Sequence, residues 1–280
     1  MKLSNLSRVS LKSIGRSIGI DVQMVEGHLQ CTSLAPDDPR YSLDFVLPSM
    51  KMIDACRADD FDFFLPFIDA GMLTIEQMHN AAERYHLGKT KSGQPIFWMI
   101  DDMHTPLDAH IGNDTWISAL LKAREPLLEY WQVQHCLFGQ HLITNTDLTN
   151  LTNKNIAISA EQPHSCNSRH SWSEKTTICV VESEQSAMVL SELFPECTWM
   201  AYVNTLHLCP DLFEPLQGHT VTIYPRTDPT LSTFLFFEDL VDITRRQYDI
   251  DISVDATLED HATADQKDQC IDILNFILES

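Results

Sequence analysis

Two acids and an arginine follow short apolar runs in the second half of the chain, where they could do chemistry. Glu182 comes directly after Thr177-Ile-Cys-Val-Val, and both Arg226 and Asp228 come shortly after Thr220-Val-Thr-Ile-Tyr. Runs of β-branched residues that stop at polar ones are typical of consecutive strands in a parallel sheet. Open sheets of this kind carry their sites at the carboxyl ends of the strands. We therefore expect Glu182 and Asp228 to share one sheet edge, where two carboxylates can hold a divalent metal.

Segments that favour helices separate these apolar runs, so that strands and helices alternate. The pattern predicts helices over 184–193, near 210–216 and from about 230 to 246, and further strands near 198–201 and 249–254. A last helix is predicted to begin after a cap at Thr263 and to place Ile271, Leu274, Ile277 and Leu278 on one face. Short connections and β/α alternation predict an α/β fold with a right-handed parallel sheet.

The acids resemble the magnesium site of the toprim domain found in bacterial primases, topoisomerases and related nucleases. In that domain one strand ends in a Glu followed by a small residue, and a later strand ends in an Asp-x-Asp pair. Glu182 matches the Glu, Ser183 the small residue and Asp228 the second Asp, whereas Arg226 stands at the position of the first Asp. The resemblance implies Glu182 and Asp228 as catalytic and metal-binding residues, with Arg226 at a degenerate position.

Arg226 changes the chemistry expected of such a site. Its guanidinium is always charged, so it competes with magnesium and can pair with Glu182 or Asp228 instead. Relatives commonly have a Lys where this chain has Gln185, and a Gly-Gly in the loop that here reads Ala201-Tyr-Val-Asn-Thr-Leu-His. We therefore expect weak magnesium binding and contact between Arg226 and one or both acids.

Upstream segments extend the resemblance to roughly residues 60–278. Tyr85-His-Leu-Gly-Lys-Thr, followed by an apolar strand that ends in Ile100-Asp101, is similar to the segment before the toprim domain in primase catalytic cores. Gln134-His-Cys-Leu-Phe-Gly-Gln-His-Leu-Ile, which we expect to be helical, resembles a toprim-like family of bacterial mobile elements. These likenesses imply a primase-related protein that acts in replication or transfer of such an element.

Composition and motif positions predict four segments. They are a poorly defined segment 1–47, an α+β primase-core-like subdomain 48–145, an inserted polar loop 146–176 and a toprim-like α/β domain 177–280, in which helices flank the parallel sheet. The first segment offers only His28 and Cys31 as metal ligands, so no zinc is expected. A capping box at Thr74 with Gln77 opens one helix of the second segment.

Three further groups are weaker candidates. Lys89 and Lys91 lie on a Gly-containing turn and could contact nucleic-acid phosphates, although a solvated hairpin turn is the favoured interpretation. The mixture of His and Cys over 164–170 could bind zinc, but its spacing is more typical of a polar loop. Four phenylalanines over 61–67 could stack on bases, but their spacing fits core packing better.

Charge limits the classes of partner. The chain has 19 basic and 40 acidic residues, a net charge of −21, which opposes the nucleic-acid backbone. We expect the isolated protein to bind DNA weakly if at all. The scattered cysteines form no C-x-x-C pair, and no apolar run reaches membrane-spanning length, so we expect a cytoplasmic protein with free thiols and no membrane partner.

Two classes of function stay open. The first is magnesium-dependent nucleotidyl or phosphodiester transfer on DNA, inherited from a primase-like ancestor through a site that Arg226 has altered. The second is a non-catalytic module whose acidic surface docks a basic replication or mobilisation protein.

Overall fold

A computed structural model of the chain describes residues 22–25, 28–31, 50–58, 62–90, 92–112, 115–124, 133–143, 177–203, 205 and 208–279. The chain divides into two compact units, Met1–Gly139 and Gln140–Ser280. The first unit contains a four-stranded antiparallel sheet, and the second contains a four-stranded parallel sheet. The protein is therefore mixed α/β. Among the described residues, helices long and apolar enough to span a bilayer are absent.

The first unit begins with a small hairpin and continues with helices and an antiparallel sheet. Its strands are β1 Val22–Val25, β2 His28–Cys31, β3 Gly88–Lys89, β4 Pro95–Ile100, β5 Pro106–Ile111 and β6 Thr115–Trp116. Its helices are α1 Met50–Cys56, α2 Leu65–Asp69, α3 Ile75–Arg84 and α4 Ile117–Arg124, with a 3-10 turn Asp62–Phe64 before α2. The larger sheet has the order β3-β4-β5-β6.

Strand β4 is the centre of the first unit because both of its faces are covered. Ile96, Trp98 and Ile100 pack with Ile53 of α1 and Ile117 of α4. Strand geometry turns the intervening Phe97 and Met99 to the opposite face, and both are also buried. This double burial explains why β4 is a nearly continuous apolar run.

The motif that opens at Tyr85 is explained by packing. The Tyr85 ring is buried and stacks on Phe138, with ring centroids 5.1 Å apart. A Cβ built on Gly88 would lie 3.0 Å from Trp98 Nε1, so the close approach of β3 to β4 favours glycine, and a larger residue would push against the Trp98 ring. Asp101 ends β4 and accepts hydrogen bonds from the backbone N–H groups of Met103 and Thr105, at 3.0 and 2.7 Å.

Two local predictions for this part of the chain have clear outcomes. The helix expected over 134–143 is wrong, since residues 133–137 are irregular and only a 3-10 turn, Gln140–Leu142, follows. Leu137 and Phe138 are nevertheless fully buried, so the apolar pattern reflects burial rather than helical periodicity. Core packing is confirmed for Phe64 and Phe67, which are buried, whereas Phe61 lies outside the described residues.

The second unit alternates strands and helices as the sequence predicts. Its strands are β7 Thr177–Val181, β8 Thr198–Ala201, β9 Thr220–Ile223 and β10 Asp251–Val254. Its helices are α5 Glu184–Leu193, α6 Ser232–Tyr248, α7 Thr257–His261, α8 Ala264–Asp268 and α9 Ile273–Glu279, with a 3-10 segment Pro210–Leu216 before β9. All neighbouring strands run parallel, in the order β10-β9-β7-β8.

This strand order creates a switch point between β7 and β9. The chain leaves β7 through α5 towards β8 on one side, and leaves β9 through α6 towards β10 on the other. Right-handed crossovers therefore place α5 and α6 on opposite faces of the sheet. Helices that diverge in this way open a crevice at the carboxyl ends of the two strands, which is where open α/β sheets bind ligands.

The prediction of one final helix from Thr263 is wrong. Thr263 does cap a helix, through a capping box with Gln266, but that helix is only α8. Cys270 then has a φ of 53°, which breaks the helical path before α9 begins. The carbonyl of Ile271 accepts a hydrogen bond from the backbone N–H of Thr227 at 3.0 Å. Between α8 and α9 the chain therefore contacts the segment after β9 instead of continuing as one helix.

Candidate functional site

The switch-point crevice brings together three residues that follow neighbouring strands. Glu182 follows β7, Tyr202 follows β8, and Arg226 lies three residues beyond β9. Main-chain hydrogen bonds continue the sheet past the strand ends: the N–H of Tyr202 donates to the carbonyl of Val181 at 3.0 Å, and that of Val203 to Glu182 at 2.9 Å. Backbone hydrogen bonds therefore hold Glu182 and Tyr202 at this edge of the sheet, independently of their side chains.

Arg226 and Glu182 form an ion pair across the crevice. The Nε of Arg226 lies 3.4 Å from Oε2 of Glu182, which confirms the expected contact of Arg226 with an acid. The two side chains are 47% and 25% exposed, so water screens the pair and its contribution to stability is at most about 1 kcal/mol. Burial raises the pKa of Glu182, Arg226 lowers it in part, and a nearby acid, Asp272, raises it further.

Asp228 is buried and is engaged by the start of α6. One of its oxygens accepts the N–H of Thr230 at 2.8 Å, and the other accepts the N–H of Thr233 at 2.7 Å. The Thr230 hydroxyl donates to the first oxygen at 2.5 Å, and Ser232 also contributes longer bonds. Burial by itself would raise the pKa of Asp228, but the hydrogen bonds from Thr230 and Thr233 hold this pKa well below its ordinary value.

These contacts define a structural role for Asp228. Leu231, which precedes α6, has a φ of 62° and makes no side-chain cap to the helix. The first turn of a helix has N–H groups without partners inside the helix, and a carboxylate there is favoured by the helix dipole. Asp228 satisfies these groups and thereby stabilises the start of the 17-residue helix.

Asp272 is an acid of the site that the sequence did not single out. It precedes α9, and one oxygen accepts the N–H of Asn275 at 2.9 Å while the other accepts the hydroxyl of Ser186 at 2.5 Å. Ser186 belongs to the first turn of α5, directly behind Glu182. The signal available in the sequence was an Asp directly before a helix-favouring run, which is typical of an N-cap but says nothing about its position beside Glu182.

Tyr202 adds a buried hydroxyl to the same crevice. The side chain is 6% exposed, its ring packs on Phe237, and its hydroxyl has no hydrogen-bond partner among the described residues. Burial raises the pKa of Tyr202 well above its ordinary value, and the charge of Glu182 raises it further. The phenol is therefore neutral and available to donate a hydrogen bond.

The residue after Tyr202 has a left-handed backbone conformation. Val203 has a φ of 60°, a conformation that glycine adopts freely and a β-branched side chain does not. A non-glycine residue in this conformation costs on the order of 1–2 kcal/mol. The loop after β8 therefore begins with a strained residue.

The described residues do not fit a magnesium site of the toprim kind. Glu182 is paired with Arg226, and the two oxygens of Asp228 accept hydrogen bonds from Thr230, just before α6, and from Thr233 in its first turn. Within the described ranges, no group of three or more His, Cys, Asp or Glu side chains is arranged to hold a metal. The positive charge beside Glu182 comes from the Arg226 guanidinium.

The remaining candidate residues lie elsewhere in the chain. Lys89 is half-buried in β3 and pairs with Pro95, and the turn closes through the N–H of Thr90, which donates to the carbonyl of Gln94 at 2.8 Å. A hairpin turn is thereby confirmed. Lys91 lies outside the described residues, as does the His and Cys group over 164–170.

Comparison with known protein families finds a match within the second unit. Residues 168–227 are similar to a protein family described as a domain of unknown function, DUF6371. This range includes β7, α5, β8, β9 and both residues of the Glu182–Arg226 ion pair. No curated protein matches the chain.

Proposed function

We propose that this chain is a toprim-like protein, related to the bacterial primase core, in which an ion pair has replaced the magnesium site. It would act in the replication or transfer of a mobile element without carrying out the ancestral nucleotidyl or phosphodiester transfer. The contact that carries this proposal is the 3.4 Å ion pair between Arg226 and Glu182 at the switch point of the parallel sheet.

The electrostatics of the pair support a non-catalytic role. Arg226 holds a permanent positive charge next to the carboxylate that would bind the metal, so a divalent ion must displace or repel it. Asp228 cannot compensate without giving up its hydrogen bonds to Thr230 and Thr233 at the start of α6. Magnesium binding at this position therefore requires the loss of two sets of stabilising contacts.

Calorimetric titration with magnesium tests the proposal. We expect the wild type to bind magnesium weakly and Arg226→Asp, which restores the paired acids, to bind at least about tenfold more tightly. Arg57→Asp is the matched control, because it makes the same charge change at an exposed ion pair of the first unit. If the wild type binds as tightly as Arg226→Asp, or synthesises primers in a magnesium-dependent assay, the proposal is wrong.

A second candidate function is a non-catalytic module that docks a basic replication or mobilisation protein. The observation that favours it is the net charge of −21, together with acidic side chains exposed along α6. Such a surface attracts basic proteins and repels the DNA backbone. Weak DNA binding by the isolated protein near physiological salt is the expected result, and a tight complex that weakens steeply with salt would argue against this candidate.

A further inference from the structure

The longest helix of the second unit exposes a stripe of large apolar side chains. Its inner side buries Phe237, Leu240, Val241 and Thr244. Outside this buried side, Leu235 is 49% exposed, Phe236 41% and Ile243 50%. Single exposed apolar residues are common, but these three lie on one side of the helix, around Asp239, and together form a larger apolar surface. We call Leu235, Phe236, Asp239 and Ile243, which recur at helical spacing, the α6 outer face.

An acidic groove runs beside this face, between α6 and β10. It has a volume of about 330 Å³ and is lined by Glu238, Asp239, Asp242 and Arg245 of α6 with Ser253 and Val254. Arg245 is the basic residue of this lining, and its single positive charge does not balance the three carboxylates. Its Nε donates to the carbonyl of Ile252 at 2.7 Å, and its Nη1 lies 3.9 Å from Asp242.

Two carboxylates of the groove are uncompensated. Asp242 is balanced by Arg246, 3.5 Å away, as well as by Arg245. Glu238 and Asp239 are exposed, and in the part of the chain that the structure describes neither makes a side-chain hydrogen bond or ion pair. Negative charge without a partner therefore adjoins an apolar stripe, a combination that favours a ligand with both apolar and basic groups.

We propose that the α6 outer face docks a basic amphipathic helix of a partner protein. The proposal rests on the second candidate function and assigns its docking surface. The stripe from Leu235 to Ile243 is about 12 Å long, or just over two helical turns, which suits apolar residues of a second helix at i, i+4 and i+7. Lysine or arginine on the flank of that helix would reach Glu238 and Asp239 in the groove.

The charges argue against a second copy of this chain as the occupant. A twofold interface places the same patch on both subunits, so Glu238 and Asp239 would approach their own counterparts. Like charges across an interface are unfavourable, whereas a basic helix neutralises them. Nucleic acid is disfavoured for the same reason, because its backbone is negative.

Fluorescence titration with a synthetic helix tests the proposal on the full chain. The probe is an amphipathic peptide of leucine and lysine, about 15 residues long, and the control is a peptide of the same composition whose order removes the apolar face. We expect the wild type to bind the amphipathic peptide at least about tenfold more tightly than the scrambled one.

Variants locate the binding surface. Phe236→Ser with Ile243→Ser, and separately Glu238→Gln with Asp239→Asn, should each weaken binding by about tenfold or more. Leu278→Ser, at a 41% exposed leucine of α9, and Asp268→Asn, at an exposed acid of α8, should leave it within about twofold. All substituted side chains are exposed, and unchanged far-UV circular dichroism confirms folding of each variant.

Three results would overturn the proposal. The first is that the wild type binds both peptides with equal affinity. The second is that the control variants weaken peptide binding as much as the α6 variants do. The third is that the protein forms a concentration-dependent dimer, which the Phe236 and Ile243 substitutions abolish. The last result would assign the face to a second copy. Magnesium titration of Arg226→Asp is independent of all three, so failure of the docking surface and failure of the replaced metal site can be told apart.

Discussion

The substitution Asp228→Asn separates two roles for one carboxylate, that of a helix cap and that of a metal ligand. In the structure its two oxygens accept backbone N–H groups of Thr230 and Thr233, at 2.8 and 2.7 Å. Asparagine keeps one of these acceptors but replaces the other with a donor and removes the charge. Loss of one charged hydrogen bond at a helix start should lower the free energy of unfolding by about 2 kcal/mol.

The pH dependence gives a second, independent signature. Because hydrogen bonds hold the pKa of Asp228 below its ordinary value, its charge stabilises the folded state fully above about pH 5, where an unfolded aspartate is almost completely ionised. That stability is lost as the pH falls towards the pKa of the folded state. The difference in unfolding free energy between wild type and Asp228→Asn should therefore be full at pH 7 and smaller by about 1 kcal/mol near pH 3.

Urea unfolding followed by circular dichroism measures this difference, and amide hydrogen exchange over 229–248 shows whether the loss is local to α6. Asp268→Asn is the matched control, since this exposed aspartate lies in α8 of the same unit. A variant as stable as the control at every pH, with unchanged exchange in α6, would refute the capping role. The carboxylate would then be free to bind a ligand.

Three further predictions follow from local contacts and can be checked by urea unfolding. Tyr202→Phe removes a buried hydroxyl that has no partner among the described residues. The free energy of unfolding should therefore stay within about 0.5 kcal/mol of the wild type or rise. A decrease of more than about 1 kcal/mol would show that the hydroxyl makes a hydrogen bond. Gly88→Ala places a Cβ 3.0 Å from the Trp98 ring nitrogen and should cost about 1–3 kcal/mol. Thr74→Ala breaks the capping box with Gln77 and should cost about 1 kcal/mol, and an unchanged midpoint would contradict that role.

The sequence predicted the second unit well because its signals are local. Strand β7 and helix α5 were expected over 177–181 and 184–193, where the structure has them. A continuous β-branched run followed by a segment that favours a helix needs no tertiary information to be recognised. The contact between Arg226 and Glu182 was also predictable, because neighbouring parallel strands bring their carboxyl ends to one edge.

Other features depended on contacts that a single sequence does not reveal. The break at Cys270 is accompanied by a hydrogen bond from Thr227 to the carbonyl of Ile271, a pairing of residues far apart in the chain. Asp272 was missed as a neighbour of Glu182 for the same reason, since Ser186 and Asp272 are 86 residues apart. The irregular segment before Gln140 was predicted as a helix because apolar residues that are buried on all sides have no diagnostic period.

The hydrogen bond between Ser186 and Asp272 has a consequence for the order in which the protein is made. Synthesis proceeds from the amino terminus, and nascent segments begin to fold as they emerge. A ribosome that has passed residue 226 has already supplied Glu182, Tyr202 and Arg226, but not the acid that contacts α5 from the far end of the unit. A nascent chain that ends between residues 226 and 272 therefore contains both residues of the ion pair but still lacks this neighbouring negative charge.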